Sequence, residues 1–512
     1  MRSGVKVFWS SVAVLAALVA ACRLLLPARF AVNVPLAHAL LGRTESPPAE
    51  AVMARRLHTP PGFGLSRWAE GLPNVRLLRP LASGALLASL PREGRVVLVE
   101  ADADADGRSD GTRTLLEGLN RPHGLDLHDG YLYVAEGDGV GRVRFDPTAG
   151  ALEGRYQRVV DGLPAGGNHW TRTVRFGPDG MMYVSVGSSC NACVEKDPRR
   201  AAVLRFRADG SGAEVFATGL RNSVGLDFHP LTGELYATDN GRDLLGDDFP
   251  PCELNRVVQG GFYGWPFANG DRVVDPDHGD AARAAASIPP LHGFRAHNAP
   301  LGITFVRGDS VPDDYRGAAL VALHGSWNRS RKDGYKVVSL HWDAQGRIAE
   351  RDFLWGFLED EDVIGRPVDV AEGGDGAFYV SDDYSGSIYR VAYGDGPQGE
   401  LPAARAGAGR PGAADLARLP EPEVAARAAR GQALYESSRC AGCHDPRRAT
   451  PGVVVRPLAG LGRRYSLAAL EAYLAAPNPP MPAYPLSAEQ RRDLAVYLLG
   501  GGGSTVPVRV TP

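Results

Sequence analysis

Two cysteines separated by two residues and followed at once by a histidine are the clearest chemical signal in the chain: Cys440, Cys443 and His444. This spacing attaches a c-type haem covalently, and the imidazole then ligates the haem iron. Met481 lies in a proline-rich loop stiff enough to hold its thioether on the other side of the iron. A bare CxxC pair also serves zinc sites and redox dithiols, and a loop methionine also packs in cores. The combination predicts a haem bound through Cys440 and Cys443, with His444 and Met481 as iron ligands.

Apolar residues recur at helical spacing on both sides of this motif, over residues 424–435 and 494–498. The first pattern brings the cysteines to its end, and Gly431 would permit a close crossing with the second. Residues 487–490 have the sequence of a capping box, which predicts that a helix begins there. Residues 423–500 therefore resemble a small, all-α class I cytochrome c domain.

The composition limits the possible partners. Lysine and arginine total 56 against 59 aspartates and glutamates, which gives a net charge of −3 at pH 7, and no basic run stands out. Binding to nucleic acid or to an anionic membrane surface needs a basic patch, so neither is expected. The length of 512 residues predicts more than one domain, and small molecules are the favoured partners.

Residues 1–28 have the pattern of an export segment, because two cationic residues precede an apolar run from Val7 to Cys22. Three alternatives remain: a cleaved signal, an uncleaved anchor, and a lipoprotein in which residues 19–22 resemble a lipobox. The apolar run is just long enough to span a bilayer, which favours retention by an anchor or a lipid. We therefore expect a periplasmic protein associated with the inner membrane and attached through a tether over residues 29–59.

A repeated unit fills residues 60–394. Each copy has a strand, a polar turn with glycine, a second strand and a third, as in residues 124–145. Six copies of about fifty residues, without helical periods between them, predict an all-β six-bladed β-propeller. A β-sandwich is the alternative, but sandwiches do not repeat internally. Residues 395–422 are predicted to link the propeller to the cytochrome c domain, and residues 501–512 to form a flexible tail.

Polar residues at the blade openings are candidates for chemistry, since a propeller gathers its loops around a central channel. His169 is a candidate general base, although a lone loop histidine is more often structural. Arg221, at the equivalent point of the next blade, could hold a carboxylate or an oxyanion, and His324 and Arg366 form a further cluster. Oxygen-rich loops over residues 239–248 suit Ca²⁺, or form an acidic surface loop. The pattern alone predicts an anion pocket beside a cation.

Longer motifs around these residues resemble the soluble quinoprotein sugar dehydrogenases, which bind pyrroloquinoline quinone. The shared motifs are Asn168-His169 with Phe176-Gly177-Pro178-Asp179-Gly180, Gly219-Leu220-Arg221-Asn222, and Glu253-Leu254-Asn255 with Gly260–Pro266. The L-sorbosone dehydrogenase-like branch is indicated by Asn120–Leu125, Ser188–Cys193 and His324–Arg329. The resemblance covers residues 60–394, and fusion to a cytochrome is a known arrangement in the family.

The resemblance implies a role for each matching residue. His169 corresponds to the catalytic base, and Arg221 to the side chain that stabilises charge on the reduced quinone. The positions that match quinone contacts are Arg76, Asn222, His324 and Arg366, the last of them on a carboxylate. The positions whose backbone carbonyls match calcium ligands are Gly241 and Arg242. Lys332 is a loosely aligned rival for the lysine that the glucose dehydrogenases use.

One position departs from the glucose-oxidising branch. Where that branch has an Asp that supports the catalytic pair, this chain has Ser188. His169 then lacks its expected acidic orienter, which argues against glucose as the substrate. Cys190 and Cys193 are expected to be structural in an oxidising compartment, and to pair with each other or with Cys252.

The sequence thus predicts a dehydrogenase that oxidises an aldose or a sugar-derived aldehyde on the quinone, with Ca²⁺ bound. The attached haem would collect the electrons and pass them to a respiratory acceptor, either the quinone pool or another cytochrome. Two other classes remain as alternatives: a lactonase-like propeller hydrolase, and a non-catalytic binding or sensor propeller tethered to a cytochrome. A hydrolase has no need of a haem, and a sensor has no need of His169, Arg221 and Arg366 together.

Overall fold

The structure, a computed structural model, consists of a β-propeller followed by a small group of helices. It describes residues 31–35, 44–343, 345–394, 405–406, 415–445, 448, 458, 461, 465–475, 477, 481–482 and 484–501. In this part of the chain, six sheets of four or five strands form the blades. The all-β six-bladed propeller and the helical region after it, both predicted from the sequence, are confirmed.

The four main strands of each blade follow one another blade by blade, except that the first strand, β1 (Phe63–Ala69), belongs to the last blade. It pairs antiparallel with the final strand of the propeller, and this pairing closes the ring. From the inner strand outward, blades one to three are β2 (Leu78–Pro80), β3 (Leu86–Leu90), β4 (Arg95–Val99), β5 (Thr112–Leu116); β6 (Leu125–His128), β7 (Tyr131–Glu136), β8 (Gly139–Asp146), β9 (Ala151–Val160); and β10 (Arg172–Phe176), β11 (Met182–Val186), β12 (Ala202–Phe206), β13 (Glu214–Thr218), extended by β17 (Gly261–Phe262).

Blades four to six follow the same order. They are β14 (Ser223–Phe228), β15 (Leu235–Asp239), β16 (Cys252–Val257), β20 (His292–Phe294); β21 (Pro300–Phe305), β22 (Ala319–Leu323), β23 (Lys336–Trp342), β24 (Ile348–Leu354), extended by β30 (Arg405–Ala406); and β27 (Pro367–Glu372), β28 (Phe378–Asp382), β29 (Ser387–Tyr393) with β1. Two hairpins, β18 (Ala268–Asn269) with β19 (Val273–Val274) and β25 (Leu358–Glu359) with β26 (Asp362–Val363), lie between blades in the sequence, as does helix α2 (Ala281–Ala286).

The core lies between neighbouring blades. All five residues of β22 are buried, whereas the outermost strand β9 exposes several of its side chains. Blades four and five share one apolar cluster, in which Leu254 packs with Phe305 and Leu340. Side chains packed on both faces hold the inner strands in place, so the residues at the ends of these strands are rigidly positioned.

The segment before the propeller differs from the predicted tether over residues 29–59. Helix α1 (Glu50–Arg56) packs on the propeller, where Met53 and Leu57 are buried with Phe63 and Phe353. The Arg56 guanidinium pairs with the Asp362 carboxylate at 2.6 Å. Met53 and Leu57 are four residues apart, so they lie on one side of the helix. This short apolar face is the reason why residues rich in Pro and Ala are part of the folded body.

The C-terminal helices are α3 (Glu421–Ser437), α4 (Ala441–His444), α5 (Leu467–Ala475) and α6 (Ala488–Leu499). The capping box predicted at the start of α6 is present, with reciprocal hydrogen bonds between Ser487 and Gln490. Helices α3 and α6 cross at Gly431, where a side chain would collide with Asp493 O. The Asp493 carboxylate also accepts hydrogen bonds from Arg427 (2.9 Å) and Arg430 (2.6 Å) of α3. The close crossing expected from Gly431 is therefore confirmed.

Three other predicted segments lie wholly or mostly outside the described residues. They are the export segment 1–28, most of the linker 395–422 and nearly all of the tail 501–512. Two linker residues, Arg405 and Ala406, form β30 beside β24. In the described part of the chain, no helix has the length and apolar character needed to cross a membrane.

Candidate functional site

The predicted site residues of the propeller lie at one end of its channel. Neighbouring inner strands begin side by side: Gly124 N donates to Arg172 O at 2.9 Å, and Thr173 Oγ1 donates to Val224 O at 2.6 Å. The second strand of each blade is antiparallel to the inner strand, so it ends where the inner strand begins. The residues at this end are Arg76, Arg121, His169, Arg221, Asn222 and Arg366 before inner strands, and Ser188, His324 and Asp383 after second strands.

A cavity of about 240 Å³ opens at this end and is here called the cationic cavity. The described residues that line it are Asn74, Arg76, Pro91, Arg92, Arg121, Trp170, His324, Arg366 and Asp383. Its lining therefore includes four arginines and one carboxylate. Three of the predicted quinone contacts, Arg76, His324 and Arg366, come together here from the first, fifth and sixth blades.

Hydrogen bonds fix the protonation of His324. The Arg366 guanidinium lies 3.1 Å from His324 Nδ1, and because a guanidinium only donates, Nδ1 accepts. His324 Nε2 then carries the proton and donates to Asp383 Oδ1 at 2.8 Å. Burial, followed by the charge of Arg366, lowers the pKa of His324 to about 4, so the ring is neutral. Burial would raise the pKa of Asp383, but His324 and Arg76 outweigh it and lower this pKa.

The cationic cavity fits the quinone that the resemblance implies. Pyrroloquinoline quinone is a planar tricarboxylate, so it requires cations at its edge and a flat surface for its rings. The cavity offers the excess of guanidinium groups and the Trp170 ring, which lies 4.7 Å from the guanidinium carbon of Arg121. Arg76 donates to Asp383 Oδ2 at 2.7 Å, which holds its guanidinium at the wall.

A second group at the same end is here called the histidine cluster and comprises His169, Ser188, Arg221 and Asn222. His169 Nδ1 lies 2.9 Å from Ser188 Oγ and 3.0 Å from Ser188 O. Burial, followed by the charge of Arg221, lowers the pKa of His169 to about 3. The imidazole is therefore unprotonated at neutral pH, as a general base must be.

Every N–H of the Arg221 guanidinium has an acceptor within the protein. Nε and Nη2 donate to Asn191 O and Oδ1, both at 2.9 Å. Nη2 also donates to Asp243 Oδ2 at 2.9 Å, and Nη1 donates to Asn240 O (3.1 Å) and Gly241 O (2.9 Å). A guanidinium has five N–H groups, and these contacts use all five. Arg221 thus contributes a fixed positive charge in this structure, with no hydrogen left over for a ligand.

Asn222 keeps an acceptor available. Its backbone N donates to Asp239 Oδ1 at 2.6 Å, which fixes the residue, while its side-chain Oδ1 is buried without a partner among the described residues. Buried polar atoms are normally hydrogen-bonded, so an orphaned acceptor at a channel mouth indicates a ligand donor. The Asp239 carboxylate is buried, which raises its pKa to about 7.

The two predicted calcium ligands engage in protein contacts. Gly241 O accepts from Arg221, as described, and the Arg242 side chain pairs with Asp275 at 2.7 Å and with Asp277 at 2.8 Å. These contacts neither provide nor exclude further oxygen ligands for a Ca²⁺ ion at the Gly241 and Arg242 carbonyls. Calcium at this position stays a prediction.

The cysteine pairing left open by the sequence is resolved. Cys190 and Cys193 form a disulfide, and Cys252 is a buried thiol whose pKa burial raises to about 11. A thiol that stays protonated is inert. Lys332 is not among the described residues that line the cationic cavity, and its Nζ donates to Glu361 O at 3.0 Å.

The site residues that sequence reasoning missed include Arg121, Trp170, Asp383 and Asn191. Arg121, Trp170 and Asn191 lie within or beside motifs used for the resemblance, so their position next to an inner or second strand was a usable signal. Asp383 had no such signal, because acidic residues after strands are common in surface turns.

The haem residues lie in the helical region. Cys440 and Met481 belong to one apolar cluster, and His444 ends helix α4. Tyr484 Oη donates to Ser438 O at 3.0 Å, which ties the methionine loop to the turn before the cysteines. The structure therefore brings the two predicted halves of the haem site into the same small domain, while their roles as ligands stay predictions.

Comparison with known families gives two matches. A family model described as glucose/sorbosone dehydrogenase matches residues 131–390. A second model, described as cytochrome c oxidase, cbb3-type, subunit III, matches residues 426–498. Between them they cover most of the propeller and nearly all of the helical region.

Similar individual proteins agree with these matches. A pyrroloquinoline quinone-dependent pyranose dehydrogenase from Coprinopsis cinerea is 26% identical over 421 residues, which cover 66% of this chain and 56% of that protein. The chain thus spans about half the length of that relative. An uncharacterized protein from Borreliella burgdorferi is 34% identical over 296 residues, 55% of this chain and 78% of that protein. The holo structure of the quinone domain of the Coprinopsis cinerea enzyme shares the fold, with a TM-score of 0.58, 24% identity, and coverage of 66% of this chain and 97% of that one.

Proposed function

Because the chain belongs to the glucose/sorbosone dehydrogenase family and carries a cytochrome c domain, we propose that it is a quinohaemoprotein dehydrogenase. Its substrate is an aldose or a sugar-derived aldehyde of the sorbosone type, and its electrons pass to its own haem and on to a respiratory acceptor. The observation that carries the proposal is the presence, at one channel mouth, of the cationic cavity beside the histidine cluster.

Each group of residues has its own task. Arg76, Arg121 and Arg366 would hold the carboxylates of the quinone, and Trp170 would offer an aromatic surface to it. When bound, pyrroloquinoline quinone supplies the two-electron oxidant that the side chains lack. His169 takes the proton of the substrate C1 hydroxyl on its Nε2 atom, and the fixed charge of Arg221 stabilises the negative charge that develops.

The remaining features of the proposal concern metals and location. The carbonyls of Gly241 and Arg242 would hold Ca²⁺ as in the resembling enzymes, and His444 and Met481 would ligate the haem iron. A periplasmic location with attachment to the inner membrane is favoured by the export pattern in the sequence. It is also favoured by the Cys190–Cys193 disulfide, because such bonds persist in oxidising compartments.

The test begins with protein that contains haem but no quinone. Quinone and Ca²⁺ are added, and dye reduction is followed with a panel of aldoses and sugar-derived aldehydes, including sorbosone. The proposal expects quinone binding and substrate-dependent reduction. Hydrolysis of lactones without quinone would instead establish the hydrolase, and a ligand bound without turnover would establish the binding propeller.

A second experiment tests whether electrons pass directly from the quinone to the haem of the same chain. Without dye, substrate is mixed with quinone-loaded protein, and haem reduction is followed in a stopped flow at several protein concentrations. A rate independent of concentration is expected, because the haem and the quinone are on one chain. Met481→Ala is the matched variant. The bonds from Cys440 and Cys443 keep the haem attached in this variant, and the loss of the methionine sulfur lowers the reduction potential of the haem. A rate proportional to concentration, or a Met481→Ala potential equal to the parent's, would contradict this scheme.

A further inference from the structure

The loop from Ser188 to Cys193, here called the stapled loop, contacts both catalytic candidates. Ser188 N donates to Arg221 O at 2.8 Å, and the two oxygens of Ser188 face His169 Nδ1. Asn191 receives two of the Arg221 donors. The disulfide between Cys190 and Cys193 closes the loop around Asn191.

The contacts of Ser188 decide which His169 nitrogen carries the proton. Ser188 O can only accept, so His169 Nδ1 must donate to it. Ser188 Oγ donates its own proton to Cys190 O at 2.7 Å, so it too presents a lone pair to Nδ1. With Nδ1 protonated, the lone pair of the neutral ring is on Nε2. A serine therefore fixes the tautomer without a carboxylate.

Asn191 has a matching role for Arg221. Its O and Oδ1 atoms accept from Nε and Nη2, a two-point contact that sets the plane of the guanidinium. Asn191 itself is held by Asp243, whose N donates to Oδ1 at 2.8 Å and whose O accepts from Nδ2 at 3.1 Å. Trp265 Nε1 also donates to Asn191 O at 3.3 Å.

We propose that the stapled loop is the positioning element of the histidine cluster, with Ser188 as the positioning residue of His169 and Asn191 as that of Arg221. The inference rests on the proposed function for its kinetic consequence, and on the described contacts alone for its structural one. It also explains how the chain manages without the acidic orienter of the glucose-oxidising branch. The disulfide keeps Asn191 at a fixed distance from Ser188, so that one element sets both side chains.

The first test needs no turnover. Histidine side chains of the quinone-free protein are labelled with ¹⁵N, and the His169 signals are assigned by their loss in His169→Gln. Nitrogen shifts at neutral pH are expected to show a protonated Nδ1 and a bare Nε2. In Ser188→Ala the backbone acceptor remains but the Oγ acceptor is gone, so Nδ1 is expected to stay protonated while its nitrogen shift moves, as one hydrogen-bond acceptor is lost. A protonated Nε2 in the parent, or identical spectra in both proteins, would overturn the role of Ser188.

The second test separates positioning from folding. Asn191→Ala is expected to lower kcat by about 10- to 100-fold, because misplacement of a catalytic group by about 1 Å has effects of this size. Quinone affinity is expected to stay within about twofold, because the cationic cavity is untouched. Asn191→Asp keeps the Oδ1 acceptor and is expected to recover much of the lost kcat. Gln157→Ala, an exposed amide on β9, is the matched control.

The disulfide is tested with the double variant Cys190→Ser/Cys193→Ser, because thiol reductants would also reduce quinone and haem. It is expected to lower kcat as Asn191→Ala does, with quinone affinity kept. An unchanged kcat in Asn191→Ala, or a quinone affinity that falls in parallel with kcat, would overturn the proposal. If the parent itself oxidises no substrate, the proposed function fails, while the ¹⁵N spectra still decide the contacts of the stapled loop.

Discussion

The cationic cavity and the histidine cluster occupy the same end of the same channel, yet they use charge in opposite ways. The cavity gathers four arginines against one carboxylate among its described lining residues, so it has an excess of positive charge. In the histidine cluster, the charge of Arg221 is matched by Asp243, and all its donors are satisfied. An unbalanced charge favours an anionic ligand, whereas a satisfied network holds geometry. In the proposed function, the cationic cavity therefore binds the cofactor and the histidine cluster transfers the proton.

The largest effect is expected from a substitution that disrupts the histidine cluster alone. His169→Ala removes the base and is expected to lower turnover by about 100- to 10,000-fold, the usual range for general-base catalysis. Quinone affinity is expected to be unchanged, because His169 does not line the cavity. Dye reduction and quinone titration measure the two effects separately. His128→Ala, at the far end of β6, is the control, and a parental rate in His169→Ala would remove it from the mechanism.

A smaller effect is expected from a substitution in the cationic cavity. Arg121→Ala removes a guanidinium that faces the Trp170 ring in the cavity. Hydrogen bonds to charged groups contribute about 1.5–3 kcal/mol, so quinone affinity is expected to fall by about 10- to 100-fold. At saturating quinone, kcat is expected to stay at the parental value. Arg316→Ala, an exposed arginine, is the control, and a loss of kcat without a loss of affinity would reverse the assignment of the two regions.

Asn222 tests the boundary between the two regions. Its buried Oδ1 has no partner among the described residues, so Asn222→Ala removes no hydrogen bond made by that oxygen in the quinone-free protein. The free energy of unfolding is therefore expected not to fall, while quinone affinity drops by about two- to tenfold, the value of one neutral hydrogen bond. Thermal unfolding and quinone titration check both, with Gln345→Ala as the exposed control. Lower stability with unchanged affinity would make Asn222 structural.

The smallest expected effect is that of pH: kcat/KM is expected to change little through the titration of His169. The pKa of His169 is lowered to about 3 by burial, then by Arg221, against the opposing charge of Asp243. The protonated ring is inactive, so kcat/KM is expected to lose no activity through His169 between about pH 5 and 8, where an ordinary histidine would lose tenfold per unit below its pKa of about 6.5. Ser188→Asp places a carboxylate at Nδ1, raises the pKa of His169, and moves the loss to higher pH. A parental midpoint near pH 6.5 would show that His169 is solvated.

Much of the fold was predictable because its signals are local. The haem motif and the capping box each join residues three positions apart, and the blades are a repeat of strand and turn. Each of these signals depends only on residues that are close together in the sequence. The packing of residues 50–57, inside the predicted tether, was not predictable from such signals, because the surface that buries Met53 and Leu57 comes from residues about 300 positions later, such as Phe353.

The sequence by itself determined the chemistry that is available: two cysteines with the spacing of a haem-attachment motif, a candidate base in His169, an arginine before each of several inner strands, and six repeated units to carry them. Only the tertiary structure decided how these groups combine. Arg76 meets Asp383 across 307 positions because the ring closes through β1, and that closure makes the wall of the cationic cavity. Likewise, Arg221 donates to Asn240, Gly241 and Asp243 of its own blade, and to Asn191 of the third blade, which stands beside it only because the third and fourth blades pack together. Contacts between distant residues depend on the whole packed ring, so no local pattern could state them.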